Sequence, residues 1–242
     1  MKAKLRPAFY ALPPGAWRDY ITLLHPPYTV WHLSYVLLGA AAAPVVRPER
    51  VAGVVLAFFL AVGLGAHALD EYQGRPLRTR IPGPVLIGIG GISLAAAIAI
   101  GAFAVLTISL WATPFVLFGA LMVPAYNLEF LGGRFHTRFW FAFSWGAFPA
   151  LVGYWANAEG IGPPALLVAT GCFALSLTQK ALSSRATKLR RTLRSASGQL
   201  EYLDGRAEEI TVQNLLAVPE SALRTLGLSV PLLALGWLAS RL

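Results

Sequence analysis

HALDEYQGRPLRTRIP, residues 67–82, lies between two long apolar runs, since neither 51–66 nor 83–104 contains a charged residue. A helix needs about 20 mostly apolar residues to cross the hydrocarbon core, and charged side chains collect at its surfaces. The stretch is therefore expected at a membrane surface, between two transmembrane helices. It is also where acids and several arginines stand together against a long apolar run. Asp70 and Glu71 offer oxygen ligands to a hard divalent cation, and Arg75, Arg78 and Arg80 suit phosphate oxygens. On charge alone two readings stand open: a diphosphate site, or a juxtamembrane loop whose arginines only set topology.

Working outward, 83–126 holds 44 consecutive residues without a charge, enough for two spans with a very short turn near 104–108. Further spans are expected at about 30–46, 51–69, 139–156, 163–178 and 225–240, which makes seven. At 242 residues, 56% hydrophobic and 13% charged, with mean hydropathy +0.60, the chain is far more apolar than a soluble domain. It reads as an all-α, multi-pass integral membrane protein forming one transmembrane domain over 1–242. Residues 1–29 are expected as a basic surface segment containing an amphipathic helix, AWRDYITLLH, and 179–223 as a cytoplasmic loop with a short amphipathic helix at 207–223. The N-terminal residues lack an apolar core followed by a small-residue cleavage site, so no removable signal peptide is expected. A net charge of +9 fits basic residues flanking apolar spans and contact with anionic lipid, not nucleic acid. The one cysteine, Cys172, sits in an apolar run and reads as a small buried hydrophobe.

A second polar stretch, YNLEFLGGRFHTRFW at 126–140, supplies Tyr126, Asn127, Glu129, Arg134, His136 and Arg138. The aromatic-rich span after it fits a lipid belt and core, or a surface that steadies a developing cation. A third stretch, QKALSSRATKLRRTLRSASG from Gln179, carries Lys180, Arg185, Lys188, Arg190 and Arg191, placed to bind phosphate or to lie on anionic lipid. One cavity opening at 67–80, walled by apolar and aromatic side chains, is expected where these stretches meet. His32, alone in its span, reads as a satisfied polar residue.

The run Asp70, Glu71, Arg75-Pro76-Leu77 between the second and third spans resembles the first aspartate-rich motif of the UbiA superfamily of intramembrane prenyltransferases. SWGAFPALVGYWA also resembles that family's fifth helix. The resemblance covers roughly 20–190. It implies a UbiA-like helical bundle that moves a prenyl group from a prenyl diphosphate to an acceptor, with Mg²⁺ held by Asp70 and Glu71. His67, Arg75, Arg78, Arg80, Tyr126, Asn127, Arg134, Lys180 and Arg185 would then bind the substrate. The family's second aspartate motif is replaced here by the basic 179–191 stretch. EYLDGRAEE at 201–209 weakly echoes EYQGR at 71–75, which is compatible with an internal duplication. The alternative from another class is a non-catalytic isoprenoid- or lipid-binding protein of the same fold, acting with a partner.

With seven spans, seventeen of the 20 Lys and Arg residues fall on one side, and only Arg47, Arg50 and Arg241 on the other. The positive-inside rule then places the N-terminus and all three polar stretches in the cytoplasm. In a chain whose Cys172 is replaced by alanine, Ser197→Cys is expected to react with an impermeant maleimide only from the cytoplasmic side, and Arg47→Cys and Gly160→Cys only from outside. Labelling of Ser197→Cys from outside would reverse the orientation.

Overall fold

The computed structural model describes residues 5–242; Lys2 and Lys4 of the basic N-terminal segment lie outside the described residues. Helix α1 (Ala16–Leu23) is the expected amphipathic helix. It is followed by α2 (Pro26–Ala42), α3 (Pro48–Gly74), α4 (Gly83–Thr107) and α5 (Thr113–Asn127). Next come α6 (138–158), α7 (Pro163–Thr192) and α8 (Val212–Ala239). Prolines occupy the first turn of α2, α3, α4, α5 and α7, where the missing N–H has no intrahelical partner to lose. The chain turns between α4 and α5 at Ile108 and Ser109, at the far edge of the 104–108 stretch where the sequence suggests a turn.

Among the described residues, five helical segments are long and apolar enough to cross a membrane: Pro48–Gly74, Gly83–Thr107, Leu110–Asn127, Pro163–Thr192 and Val212–Ala239. The protein is thus mostly helical and membrane-embedded. Helices α2 and α6 fall outside that set, and both lie in the interior. Lipid does not surround them, so they tolerate His32, Ser34, Ser144 and Asn157, all buried. Helix α2, at 17 residues, is also short for a span, and polar side chains are tolerated in a helix whose neighbours shield it from lipid.

The last third departs from expectation. The 179–223 segment is largely helical: α7 continues to Thr192 and α8 begins at Val212. There is no separate helix at 207–223. Residues 207–209 instead pair antiparallel with 199–201 as a two-stranded hairpin, β1 (Gln199–Glu201) and β2 (Ala207–Glu209). Helix α8 then runs unbroken past Pro219 and Pro231.

Helix α2 packs along α6 and α8, with α7 behind them, around a core of Trp31, Tyr35, Ala147, Ala150, Cys172 and Leu223. Helices α3, α4 and α5 meet α6 around a second core of Val62, Ala66, Leu69, Val123, Tyr126 and Trp145. The α2–α6 crossing is a backbone contact. A Cβ on Gly39 would lie 2.0 Å from the Ala150 carbonyl oxygen, and one on Gly153 would lie 2.2 Å from that of Val36. Of the closely spaced glycines Gly88, Gly90 and Gly91 in α4, Gly90 is packed against Leu69, whereas the other two face open space.

The two ends of the bundle differ. At one, Arg47 and Arg50 donate to the carbonyls of Asn157 and Ala156 at the end of α6, and Arg241 donates to those of Ala43 and Pro44. The three minority cations thus cap helix C-termini, where carbonyls lack partners. At the other end lie the three polar stretches. Gly153→Ala is expected to lower stability by about 1–3 kcal/mol, the usual cost of overpacking, whereas Gly88→Ala should be nearly neutral. Thermal unfolding in detergent of both variants checks this.

Candidate functional site

The last turns of α3 carry His67, Asp70 and Glu71. Adjacent helical residues point about 100° apart, so Asp70 and Glu71 cannot face one site. Glu71 turns inward and is fully buried. Its carboxylate accepts from the Leu77 amide at 2.8 Å, the Thr79 amide at 2.8 Å and the Thr79 hydroxyl at 2.9 Å. It shapes the 75–80 loop from within and is not presented to a metal beside Asp70, so the expected Asp70–Glu71 ligand pair is not assembled. No three His, Cys, Asp or Glu converge on a point among the described residues.

The loop has further ties. Arg75 ends α3 in the left-handed conformation, φ 49°, and Arg78 repeats it at φ 57°. Such values cost a side-chain-bearing residue about 1–2 kcal/mol and hold only where the surroundings enforce them. The enforcement comes from Glu71, from the Arg75 guanidinium donating to the Ile81 carbonyl at 2.5 Å, and from Asp19. Buried Asp19 accepts from the amides of Gly15 and Arg80, each at 2.9 Å. The N-terminal segment, expected as a surface element, is thereby built into the loop's support.

Asp70, Gln73, Arg75 and Arg78 line a cavity of about 410 Å³ with Glu129, His136 and Arg191. All three polar stretches therefore contribute to one site. Asp70 forms no ion pair within 4.0 Å among the described residues, and His136, Lys180 and Arg191 are the basic side chains in electrostatic range of it. Glu129 stands 3.9 Å from His136 Nδ1, which donates to the Tyr126 carbonyl at 3.1 Å. The Arg191 guanidinium donates to the Pro7 carbonyl at 3.3 Å. Beneath the cavity, Tyr126 stacks on His136 with ring centroids 4.4 Å apart and meets Trp145 edge-on. Lys180 donates to the Tyr126 hydroxyl at 3.1 Å and lies over the Phe141 ring, 4.7 Å from its centroid.

Several expected substrate ligands lie elsewhere. His67 stacks on His25, centroids 4.1 Å apart, and donates from Nδ1 to the Gly63 carbonyl at 3.2 Å. His25 Nδ1 shares a 2.7 Å hydrogen bond with Tyr10. Burial, then the neighbouring His67, drives the pKa of His25 well below its usual value, so its ring is neutral near pH 7. Asn127 bonds the Val123 carbonyl of its own helix. Arg80, Arg134 and Arg185 are exposed and line no part of the cavity. Arg191, Glu129 and His136 complete the site instead. Helical arithmetic signals Arg191: eleven residues beyond Lys180 is close to three turns, which returns to the same face of α7, whereas Arg185 points about 140° away.

The expected apolar wall belongs to a separate space. A second cavity, about 450 Å³, runs among α3, α4, α5 and α6 and shares no lining residue with the polar one. Tyr126, Trp145, Leu69 and their neighbours of the second core stand between the two.

No protein-family model matches the chain, and no match is found among curated proteins or among solved structures.

Glu71→Gln puts an amide donor against the Leu77 or Thr79 amide. It is expected to cost about 1–3 kcal/mol, as for a buried group left unsatisfied, and to raise hydrogen exchange at Leu77 and Thr79. Asp70→Asn should leave that exchange unchanged.

Proposed function

We propose that the protein is a UbiA-like prenyltransferase whose seven helices α2–α8 span the membrane, with the polar cavity at the cytoplasmic face. One observation carries this reading: Arg75, Arg78, Arg191 and His136 from three separate stretches converge with Asp70 and Glu129 directly above an aromatic floor. Planar guanidinium groups bind phosphate oxygens in pairs, and three of them suit a diphosphate. Tyr126, Phe141 and Trp145 are packed below the cavity against His136 and Lys180; they would have to part to admit the isoprenoid chain, and their rings would then stand beside the allylic cation as the leaving group departs. Lys180, fixed between Tyr126 and Phe141 at the floor, would add positive charge from below as negative charge grows on the departing oxygen. Packing of the floor keeps water from the cation.

The donor set fits Mg²⁺ only in part. Asp70 and Glu129 are the two carboxylates in the cavity, and Mg²⁺ is ordinarily bound through one or two carboxylates with substrate phosphates completing its shell. Bound there, the ion would neutralise charge on the diphosphate. A second reading, a non-catalytic isoprenoid- or lipid-binding protein acting with a partner, draws on the engagement of Glu71 with the loop, which leaves fewer carboxylates for metal.

A prenyl thiodiphosphate is expected to raise the thermal unfolding midpoint in the presence of Mg²⁺. Arg191→Gln should weaken its binding about tenfold or more, since hydrogen bonds to charged groups contribute roughly 1.5–3 kcal/mol. Asp70→Asn should remove the Mg²⁺-dependent part of the shift. Equal shifts in all three proteins would reject the site. Release of inorganic diphosphate from a prenyl diphosphate separates the enzyme from the binding protein.

A further inference from the structure

The second cavity is not needed to hold a diphosphate, yet it has a definite chemistry. It extends along α3 from Arg50 to Val62, roughly 18 Å at 1.5 Å per residue. Phe58, Phe115, Phe118, Phe148 and Trp155 form much of its wall. Its charged lining residues, Glu49 and Arg50, stand at the outer rim, where Arg50 is paired with Glu159 at 2.8 Å. At the inner end, against the aromatic floor, is Ser144.

Ser144 differs from several hydroxyl residues of the bundle. Ser34, Thr107, Thr170 and Thr178 each donate to the carbonyl four residues back, the ordinary recourse of a hydroxyl in a helix. Ser144 lies in the π-helical segment Phe143–Ala147, whose wider turn displaces that carbonyl. Its hydroxyl is buried, lines the cavity and has no hydrogen-bond partner.

We propose that this cavity binds an uncharged lipid carrying one hydrogen-bonding oxygen at its leading end, a long-chain alcohol or a quinone, with Ser144 as the partner of that oxygen. The apolar length accommodates the chain. The lack of any charged lining residue inside the rim excludes an ionised head, whose desolvation nothing would offset. A hydrocarbon would fit the walls but leave Ser144 unpaired. The site is independent of the diphosphate reading, since the two cavities have no residue in common.

Trp145 and Trp155 both line the cavity, so a brominated ligand bound there quenches their fluorescence. In the full chain in detergent, 12-bromododecan-1-ol is expected to quench saturably at about three- to tenfold lower concentration than 1-bromododecane, the factor one net hydrogen bond provides. Ser144→Ala, which removes only the hydroxyl, should abolish the difference, and Ser93→Ala should preserve it. Displacement by farnesol or by a short-tailed benzoquinone supports the proposal and identifies which oxygen is preferred. Equal quenching by alcohol and alkane in the native chain, an advantage that survives Ser144→Ala, or displacement by squalene and by neither oxygenated lipid would overturn it.

Discussion

The direct contact between the backbones of α2 and α6 is what the rest of the molecule depends on. With glycine at 39 and 153, each helix sets its carbonyls where the other's side chains would be. In a membrane, where apolar surface gains little by leaving lipid, such close approach is a main source of helix association. It brings His32 within 2.8 Å of the Trp145 carbonyl, and Trp145 in turn forms part of the partition between the two cavities. At the far end the same alignment places the side chain of Asn157 2.7 Å from the Arg47 amide, fixing where α3 starts its return. The direction of α3, and so the place where Asp70 emerges, follows from a crossing about half a bundle away.

At the polar end the neighbouring acids divide the work. A carboxylate that accepts three hydrogen bonds from a loop holds that loop as firmly as a strand would, and Glu71 does so in a place closed to solvent. Asp70, one residue earlier, faces the cavity. The left-handed backbone at Arg75 and Arg78 belongs to the same arrangement, because both residues, three apart in the loop, line the cavity that Asp70 lines. Glycine would adopt that backbone more readily, but it would bring no charge.

Much of this was legible in the sequence. The charge-free runs, the polar stretches between them and the presence of a short turn close to 104–108 follow from the cost of charge in lipid, which acts residue by residue. That three distant stretches share one site followed from counting spans. The division of labour between Asp70 and Glu71 departs from the sequence reading, which assigns both to one ion: adjacent helical residues point about 100° apart, and which of them turns inward depends on where α1 and the loop pack. The π segments, the separation of the two cavities and the support given by Asp19 were not legible, because they arise from contacts between residues far apart in sequence. The echo between 71–75 and 201–209 shows the limit of short strings. Gly74-Arg75 ends a helix, Gly205-Arg206 turns a hairpin, and the likeness reflects only the use of glycine beside a chain reversal.

The two π segments explain more than the one serine. Phe59–Ala66 in α3 and Phe143–Ala147 in α6 are neighbours across the second core. A π turn disturbs the regular ladder of backbone hydrogen bonds, and away from water a displaced carbonyl needs another donor. In each segment a histidine ring provides one: His67 Nδ1 to the Gly63 carbonyl and His32 Nδ1 to that of Trp145. This accounts for why neither imidazole faces the polar cavity, although His67 stands one turn before Asp70. A histidine within an apolar helix invites a reading as ligand or proton carrier, yet here its ring nitrogen completes the backbone of an irregular helix. Ser144 is then the remaining polar group of these segments without a partner, and its place in a cavity wall gives that exception its meaning.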